Sequence, residues 1–196
     1  TRQTHTCGIK TTIGTARLPD DGRGASMTIR GRDLLNGVAG VLSPQVAQKG
    51  LKLTIDAPDL GWITTDPTRL RQALFNLVGN AVKFTSRGSV IVRVRLTGSG
   101  SAALMVFDII DTGVGVPMAA QGRLFERFEQ GDASTTRRFG GSGLGLTITR
   151  QLVQLMGGNI EAESRIGQGS TFSVTWWAAR DPFYRSSLHA VPLISP

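Results

Sequence analysis

Two strand-like segments joined by a very short turn constrain the fold of this chain more than any other feature. Valine or leucine occupies every second position in residues 90–96, and residues 103–110 are almost all apolar. Gly98-Ser99-Gly100 lies between the two segments. Because a glycine-rich connection of this length joins antiparallel neighbours, the sequence predicts a β-hairpin whose second strand is central in a sheet.

Helical and strand-like patterns lie on both sides of this hairpin. Apolar residues recur three or four positions apart after Asp33, in residues 66–84 and in residues 144–156. Asp66-Pro67 is typical of a helix start and Gly157-Gly158 of a helix end. Three further segments alternate like strands: residues 51–55, 159–164 and 171–177. We therefore expect an α/β fold, a two-layer α/β sandwich with helices on one face of a mixed, mostly antiparallel sheet.

Charge and composition divide the chain into a central domain and two tails. Residues 1–32 contain six basic and two acidic side chains, which is half of the net charge of +8. We expect residues 1–32 to be a tail or linker remnant, residues 33–178 one domain, and residues 179–196 a C-terminal tail. Binding of a polyanion by the basic arm stays open as an alternative. No aromatic residue accompanies the arm, so we expect no specific nucleic acid partner.

The scarcity of thiols and imidazoles excludes several kinds of site. One cysteine, Cys7, cannot form a disulfide framework or a multi-thiolate zinc site, and two histidines are too few for a transition-metal cluster. Because His5 and His189 lie in the expected tails, a Ser-His-Asp triad is not expected either. No segment approaches the roughly 18 consecutive apolar residues of a membrane-spanning helix.

The helix expected in residues 66–84 carries an unusual polar row. Asn76, Asn80 and Lys83 are separated by four and three positions, so they share one side of the helix. Amide oxygens are hard ligands that suit Mg²⁺, and a lysine below them suits phosphate oxygens. An ordinary solvated face would have the same spacing, and this helix alone does not separate the two interpretations.

Two glycine-containing segments could complete a site. D-I-I-D-T-G-V-G-V-P (Asp108 to Pro117) leads from an apolar strand into a carboxylate flanked by glycines, where a flat ring could approach the backbone. R-R-F-G-G-S-G-L-G-L (Arg137 to Leu146) leads into a helix, and its glycine amides could bind an anion there. It is not a P-loop, because Gly-Lys-Ser/Thr is missing. Together with the amide row, these segments suggest a nucleotide site, although an Asp-Gly turn alone is common.

Five motifs in this order resemble the catalytic ATP-binding domain of sensor histidine kinases, in the group that also holds gyrase, MutL and a heat-shock chaperone ATPase. The resemblance covers roughly Asp33 to Trp177. R-L-R-Q-A-L-F-N-L-V-G-N-A-V-K-F-T (Arg69 to Thr85) is similar to the N box, and D-T-G-V-G (Asp111 to Gly115) to the first glycine box. The other three are similar to the F box, the second glycine box and the closing strand motif: L-F-E-R-F (Leu124 to Phe128), F-G-G-S-G-L-G-L (Phe139 to Leu146) and G-S-T-F (Gly169 to Phe172).

The resemblance implies a role for each polar residue. Asn80 would ligate Mg²⁺, Asn76 would support metal and phosphate, and Lys83 would contact phosphate. Asp111 would accept a hydrogen bond from the adenine amino group, and Thr171 would support the base through water. The remaining nucleotide contacts would come from the two glycine boxes: Gly113, Gly115, Gly141, Gly143, Leu144, Gly145 and Leu146.

Other implied positions concern the γ-phosphate and the lid over the nucleotide. Arg137, or its neighbour Arg138, would contact the γ-phosphate, so that Asn76, Lys83 and Arg137 form the expected catalytic set. Phe125 and Phe128 would anchor the lid, a role that differs little from plain packing.

The function implied is transfer of the γ-phosphoryl group of ATP·Mg to a histidine on a separate dimerisation domain. A response regulator receiver domain would be the next partner in the phosphorelay. Hydrolytic relatives have a glutamate where this chain has Asn76; an amide is a poor general base, so we expect slow intrinsic hydrolysis. Neither His5 nor His189 resembles the phosphoacceptor site. A nucleotide-sensing module without transferase activity is therefore the alternative. We expect a cytoplasmic, monomeric domain, and whether a longer parent protein is anchored in a membrane stays open.

Overall fold

The fold combines strands with helices. The computed structural model describes residues 26–97, 102–126 and 144–180. In chain order, the elements are β1 (Met27–Arg30), α1 (Gly31–Gln48), β2 (Lys52–Asp56), β3 (Trp62–Thr65), α2 (Pro67–Phe84), β4 (Ser89–Thr97), β5 (Ala102–Asp111), α3 (Met118–Gln121), α4 (Gly145–Leu155), β6 (Asn159–Arg165) and β7 (Gly169–Arg180).

The strands form one sheet of seven in the order β1-β3-β7-β5-β4-β2, with β6 beside β7. The β2–β4 pair is parallel, and the other pairs are antiparallel. The predicted hairpin is the β4–β5 pair, whose register places Val90 opposite Asp111. β7 pairs with β5 along one edge and with both β6 and β3 along the other. The predicted mixed, mostly antiparallel sheet is therefore confirmed.

The core lies between one face of this sheet and the helices. Every second residue is buried along most of β4, β5 and β7, as alternation along a strand requires. Phe107 and Trp176 stack in this layer with ring centroids 4.7 Å apart. On the opposite face of the sheet, Arg95 forms an ion pair with Asp108 at 2.8 Å. The helices in the described part of the chain thus lie on one face of the sheet, and the expected two-layer sandwich is confirmed.

Helix α2 is fixed at both ends. Its N-cap, Asp66, accepts hydrogen bonds from the amides of Thr68 and Arg69 at 3.1 and 3.0 Å, and Pro67 is its first residue. At the other end, Lys49 Nζ donates to the carbonyl oxygens of Val82 and Lys83, both at 2.8 Å, and to that of Thr85 at 3.3 Å. A cation at these carbonyls also interacts favourably with the helix dipole.

Two strands were not predicted. β1 and β3 are only four residues long and pair with each other, and β1 lies at the edge of the sheet. The sheet thus takes in Met27–Arg30, which the sequence placed in the N-terminal tail. Helix α1 also continues past Pro44 to Gln48, beyond the short helix expected after Asp33. No helix in the described part of the chain combines the length and apolar character that crossing a bilayer requires.

Candidate functional site

The polar face of α2 lines an open cleft. Asn76, Asn80 and Lys83 are half-buried along a cleft of about 550 Å³. The other lining residues come from α2 itself and from the end of α1: Gln45, Gln48, Lys49, Phe75, Gly79 and Val82. The structure therefore brings together the three side chains that the spacing placed on one side of the helix. Their surface is concave, which favours a ligand site over a plain solvated face.

Asn76 connects α2 to the start of α4. Its Nδ2 donates to Thr149 Oγ1 at 2.6 Å, and the Thr149 hydroxyl donates to the carbonyl oxygen of Gly145 at 2.9 Å. A Cβ at Gly145 would come within 2.8 Å of Asn76 Oδ1. Because that distance leaves no room for a side chain, glycine at this position allows α4 to approach the amide closely.

Asp111 lies at the end of β5 with its carboxylate almost entirely buried. The side chain is on the helix-facing side of the sheet, and 6% of the residue is exposed. Oδ1 accepts a hydrogen bond from the amide of Gly113 at 2.8 Å. Burial raises the pKa of Asp111, and the amides of Gly113 and Ser170 partly offset this increase. Among the described residues, no ion pair includes this carboxylate.

Polar atoms converge around Gly113. A Cβ there would come within 2.7 Å of the Phe84 carbonyl oxygen, 2.8 Å of Asp111 Oδ1 and 3.0 Å of Thr85 Oγ1. The Thr85 hydroxyl is fully buried and has no hydrogen-bond partner within the described residues. Such a group has a cost unless something satisfies it, so this cradle is suited to a polar ligand atom or a water.

The turn after Asp111 is clamped to the β6–β7 hairpin. Gly115 has φ +70°, and a Cβ there would overlap the carbonyl oxygen of Arg165. The amide of Val116 donates to Ser164 Oγ at 2.7 Å, and Gln121 Nε2 donates to the carbonyl oxygens of Val116 and Ser164 at 3.0 and 2.7 Å. The first glycine box is therefore a fixed part of the fold.

Thr171 is not brought together with Asp111. The register places Ser170 opposite Asp111 and Thr171 opposite Ile110, so the Thr171 side chain lies on the other face of the sheet. Ser170 is buried on the face of Asp111, and its hydroxyl is 2.9 Å from that of Ser164. The alternation of Phe172, Val174 and Trp176 with polar residues indicates that Ser170, and not Thr171, faces inward.

The second glycine box is only partly described. Gly145 and Leu146 begin α4, where Leu146 packs against the core, and Leu144 precedes them with 44% exposure. Phe125 packs edge-on against Phe172 with ring centroids 6.4 Å apart. The other predicted residues of this region lie outside the described residues: Phe128, Arg137, Arg138, Gly141 and Gly143.

Sequence reasoning missed several residues that shape the site. Thr149, Ser164 and Lys49 lie outside the five motifs, and each has a hydrogen-bond partner more than 30 positions away. Thr85 closes the N box, but nothing in that motif indicates that its hydroxyl is buried without a partner among the described residues. The only sequence pattern that could have indicated the hydroxyl groups is a Ser or Thr on the apolar face of a helix or strand, and this pattern is also common in cores without a functional role. Tertiary packing alone brings these groups to the site.

Comparison with known proteins agrees with this geometry. Residues 65–180 match the family described as histidine kinase-, DNA gyrase B-, and HSP90-like ATPase, and this span contains α2, the Asp111 turn and α4. The chain belongs to this family. It is an ATP-binding catalytic domain of the histidine kinase type, so the resemblance drawn from the five motifs is confirmed.

Two sensory proteins resemble this histidine kinase domain in sequence. The chain is 46% identical over 147 residues to the sensory/regulatory protein RpfC of Xanthomonas campestris pv. campestris. It is 44% identical over 146 residues to the signal transduction histidine-protein kinase BarA of Escherichia coli. Each match covers 72% of this chain but only 20% of RpfC and 16% of BarA. The chain thus spans about a fifth of the length of these relatives or less.

A solved structure extends the likeness to three dimensions. Full-length ShkA, crystallised in complex with AMPPNP, superposes on the histidine kinase domain with a TM-score of 0.67 at 34% identity. The match covers 80% of this chain and 32% of the ShkA chain.

Proposed function

We propose that the chain binds ATP·Mg and transfers the γ-phosphoryl group to a histidine on a separate dimerisation domain, as the catalytic part of a two-component sensor kinase. The observation that carries this proposal is the position of α2 between two polar regions. The polar face of α2 lines the open cleft. The carbonyl oxygen of Phe84, in the last turn of α2, is one of the polar atoms around Gly113, next to Asp111. One helix could therefore contact both the phosphates and the base of a single nucleotide.

Adenine recognition would fall to Asp111. A buried carboxylate accepts hydrogen bonds and cannot donate while ionised, so it favours the exocyclic amino group of adenine. Guanine would present a carbonyl oxygen at the same place and meet electrostatic repulsion. The Thr85 hydroxyl is buried beside Gly113 without a partner among the described residues, so a water bound next to Asp111 could join this hydroxyl to the base. ATP is therefore expected to bind more tightly than GTP.

The phosphates would lie toward Lys83 and the start of α4. An ammonium group and the amides at a helix N-terminus both favour anionic oxygens. Leu144, Gly145 and Leu146 would contribute backbone contacts, together with Gly141 and Gly143. From the resemblance, Arg137 would contact the γ-phosphate. The AMPPNP complex of ShkA supports a nucleotide in a related domain.

The residues lining the cleft fit a hard cation that arrives with the nucleotide. Asn80 and Asn76 offer amide oxygens, which suit Mg²⁺ when phosphates and waters supply the other ligands. Within the described ranges, no group of three His, Cys, Asp or Glu side chains could hold a metal ion by itself. Bound there, Mg²⁺ would neutralise phosphate charge. We therefore expect little metal binding before ATP enters.

The acceptor is expected to be an imidazole rather than water. Asn76 is an amide that donates to Thr149, and an amide does not remove a proton from water near neutral pH. Hydrolysis by the chain alone should therefore be slow. The histidine would be supplied by a dimerisation domain, and a receiver domain would then take the phosphoryl group; the setting would be cytoplasmic, where ATP is present.

Calorimetric titration with ATP, with and without Mg²⁺, tests the binding claim, and no binding in either condition would overturn it. A phosphotransfer assay with an added dimerisation domain tests the transferase claim. Transfer that requires both proteins supports the kinase proposal. Binding without transfer to any cognate domain would instead support a nucleotide-sensing module.

A further inference from the structure

We propose that Thr149 is a positioning residue that sets the orientation of the Asn76 amide and links it to the start of α4. The proposal deepens the proposed function and rests on it, since it treats Asn76 as a group that faces the nucleotide and its metal. No motif points to Thr149, which lies on α4 beyond the second glycine box.

The hydrogen bonds around Thr149 have only one consistent direction. Thr149 is fully buried, and its hydroxyl donates to the carbonyl oxygen of Gly145, one helical turn earlier, at 2.9 Å. A hydroxyl has one proton to donate, so the remaining contact must be one in which Oγ1 accepts. The group of Asn76 that faces it at 2.6 Å must therefore be the NH₂ group.

This constraint decides which atom of Asn76 remains for a ligand. With Nδ2 held by Thr149, Oδ1 is the part of the amide that can interact with a cation or with a donor. A flipped amide would present its NH₂ group instead, which repels a metal ion. Without Thr149 Oγ1, the two flipped orientations of the Asn76 amide would differ little in energy, because the oxygen and the NH₂ group occupy nearly the same volume.

The same contacts join Asn76 to the end of the phosphate-binding segment. Thr149 and Gly145 lie on the first turn and a half of α4, and Gly145 approaches the Asn76 amide so closely that a Cβ would overlap it. A movement of the start of α4 relative to α2 would therefore change the partner of Nδ2. The orientation of the metal-facing amide thus depends on the position of α4.

The test compares three variants in the full chain. Thr149→Val removes the hydroxyl and keeps the shape, and Thr149→Ser keeps the hydroxyl. Thr147→Val is the matched control: Thr147 is also buried on α4, but its hydroxyl donates to the carbonyl oxygen of Glu126 at 3.0 Å, not to Asn76. If the valine variant at 149 does not fold, Thr149→Ala replaces it.

The first measurement is the factor by which Mg²⁺ increases ATP affinity, obtained by calorimetry with and without the metal. We expect Thr149→Val to reduce this factor about three- to tenfold, the effect of one net hydrogen bond, and to leave metal-free affinity unchanged. Thr149→Ser and Thr147→Val should keep the wild-type factor. An unchanged factor in Thr149→Val, or an equal loss in Thr147→Val, would overturn the proposal.

The second measurement needs no nucleotide. In the nucleotide-free protein, the side-chain NH₂ signals of Asn76 should show slow hydrogen exchange, which Thr149→Val should accelerate and Thr149→Ser should keep. Identical exchange in Thr149→Val and wild type would refute the orienting role even if ATP binds. If the wild-type chain binds no ATP while the exchange result holds, the proposed function fails and the Thr149–Asn76 geometry stands.

Discussion

The two ends of the candidate nucleotide site are built in different ways. At the base end, Asp111 and Thr85 are buried, and close backbone contacts at Gly113 and Gly115 fix the turn. At the phosphate end, half-buried side chains line an open cleft, and part of the predicted set lies outside the described residues. The fold itself thus prepares the base end, whereas ligand and metal would complete the phosphate end. Selectivity for the base should therefore survive changes that weaken phosphate binding.

The sharpest way to break the fixed base end is Gly115→Ala. The residue would have to adopt φ +70° and its Cβ would overlap the Arg165 carbonyl, so we expect a loss of about 2–4 kcal/mol in unfolding free energy. Gly122→Ala is the matched control, because Gly122 has φ −61° and nothing lies within 4 Å of its Cβ position. Urea denaturation measures both. Equal stability of the two variants would show that the turn is not clamped.

Removal of the buried carboxylate tests base recognition directly. We expect Asp111→Asn to weaken ATP binding about 10- to 100-fold, the range for a lost hydrogen bond to a charged group. Calorimetry measures this loss, together with the ratio of ATP to GTP affinity, which should fall.

Asp108→Asn supplies the control for the carboxylate variant. Asp108 is equally buried on β5 but lies on the other face of the sheet, where it pairs with Arg95. This variant should lose stability and keep ATP affinity. Similar losses of affinity in both variants would contradict a specific role for Asp111.

Lys49→Met tests the C-terminal end of α2, which lies between the base end and the phosphate end of the site. The ammonium group satisfies three carbonyls at the end of α2, next to Lys83 and the Gly113 cradle. Because Lys49 is exposed to solvent, we expect a loss of only about 1 kcal/mol in unfolding free energy. Lys52→Met, which changes an exposed lysine of β2, is the control and should be nearly neutral. Equal effects would indicate that the helix end needs no cap.

The smallest expected effect is a pH dependence that distinguishes the base end. Burial raises the pKa of Asp111, so the folded protein binds this proton more tightly than the unfolded chain does. Ionised Asp111 therefore lowers stability above its raised pKa, and this cost disappears below the ordinary aspartate value. The stability of Asp111→Asn minus that of wild type should thus decrease from about pH 7 to about pH 4. Denaturation curves at the two pH values measure this difference in stability. A larger difference at about pH 4 than at about pH 7 would contradict a raised pKa of Asp111.

Local patterns were enough to predict the elements that position the site. Helix α2 has a cap, a proline at its first position and a polar row, all of which are visible without tertiary information. The β4–β5 hairpin follows from alternation and a short turn, and this hairpin places Asp111 at a strand end. The site therefore has a scaffold whose main parts are encoded over short distances.

The remaining features depend on contacts between distant segments. Thr171 was expected near the base because of its motif, but the pairing of Ser170 with Asp111 turns Thr171 to the other face. The alternation of Phe172, Val174 and Trp176 with polar residues already places Ser170 on the buried face. That Ser170 lies opposite Asp111 depends on the pairing of β7 with β5, two distant segments. The caps and clamps formed by Lys49 and Ser164 likewise join segments that only the folded chain brings together.

The position of β7 has a consequence for how the chain acquires its structure. Residues near the end of β7 pair with β3, and residues 170–179 pair with β5, so this strand lies between two parts of the sheet that are synthesised earlier. During synthesis, two partial sheets would leave the ribosome before β7. One consists of β1 paired with β3, the other of β2, β4 and β5, and each would have an open edge until β7 joins them. Non-local pairing of this kind is slow and leaves strand edges open to aggregation. A chain interrupted before Gly169 should therefore aggregate rather than form a smaller stable domain.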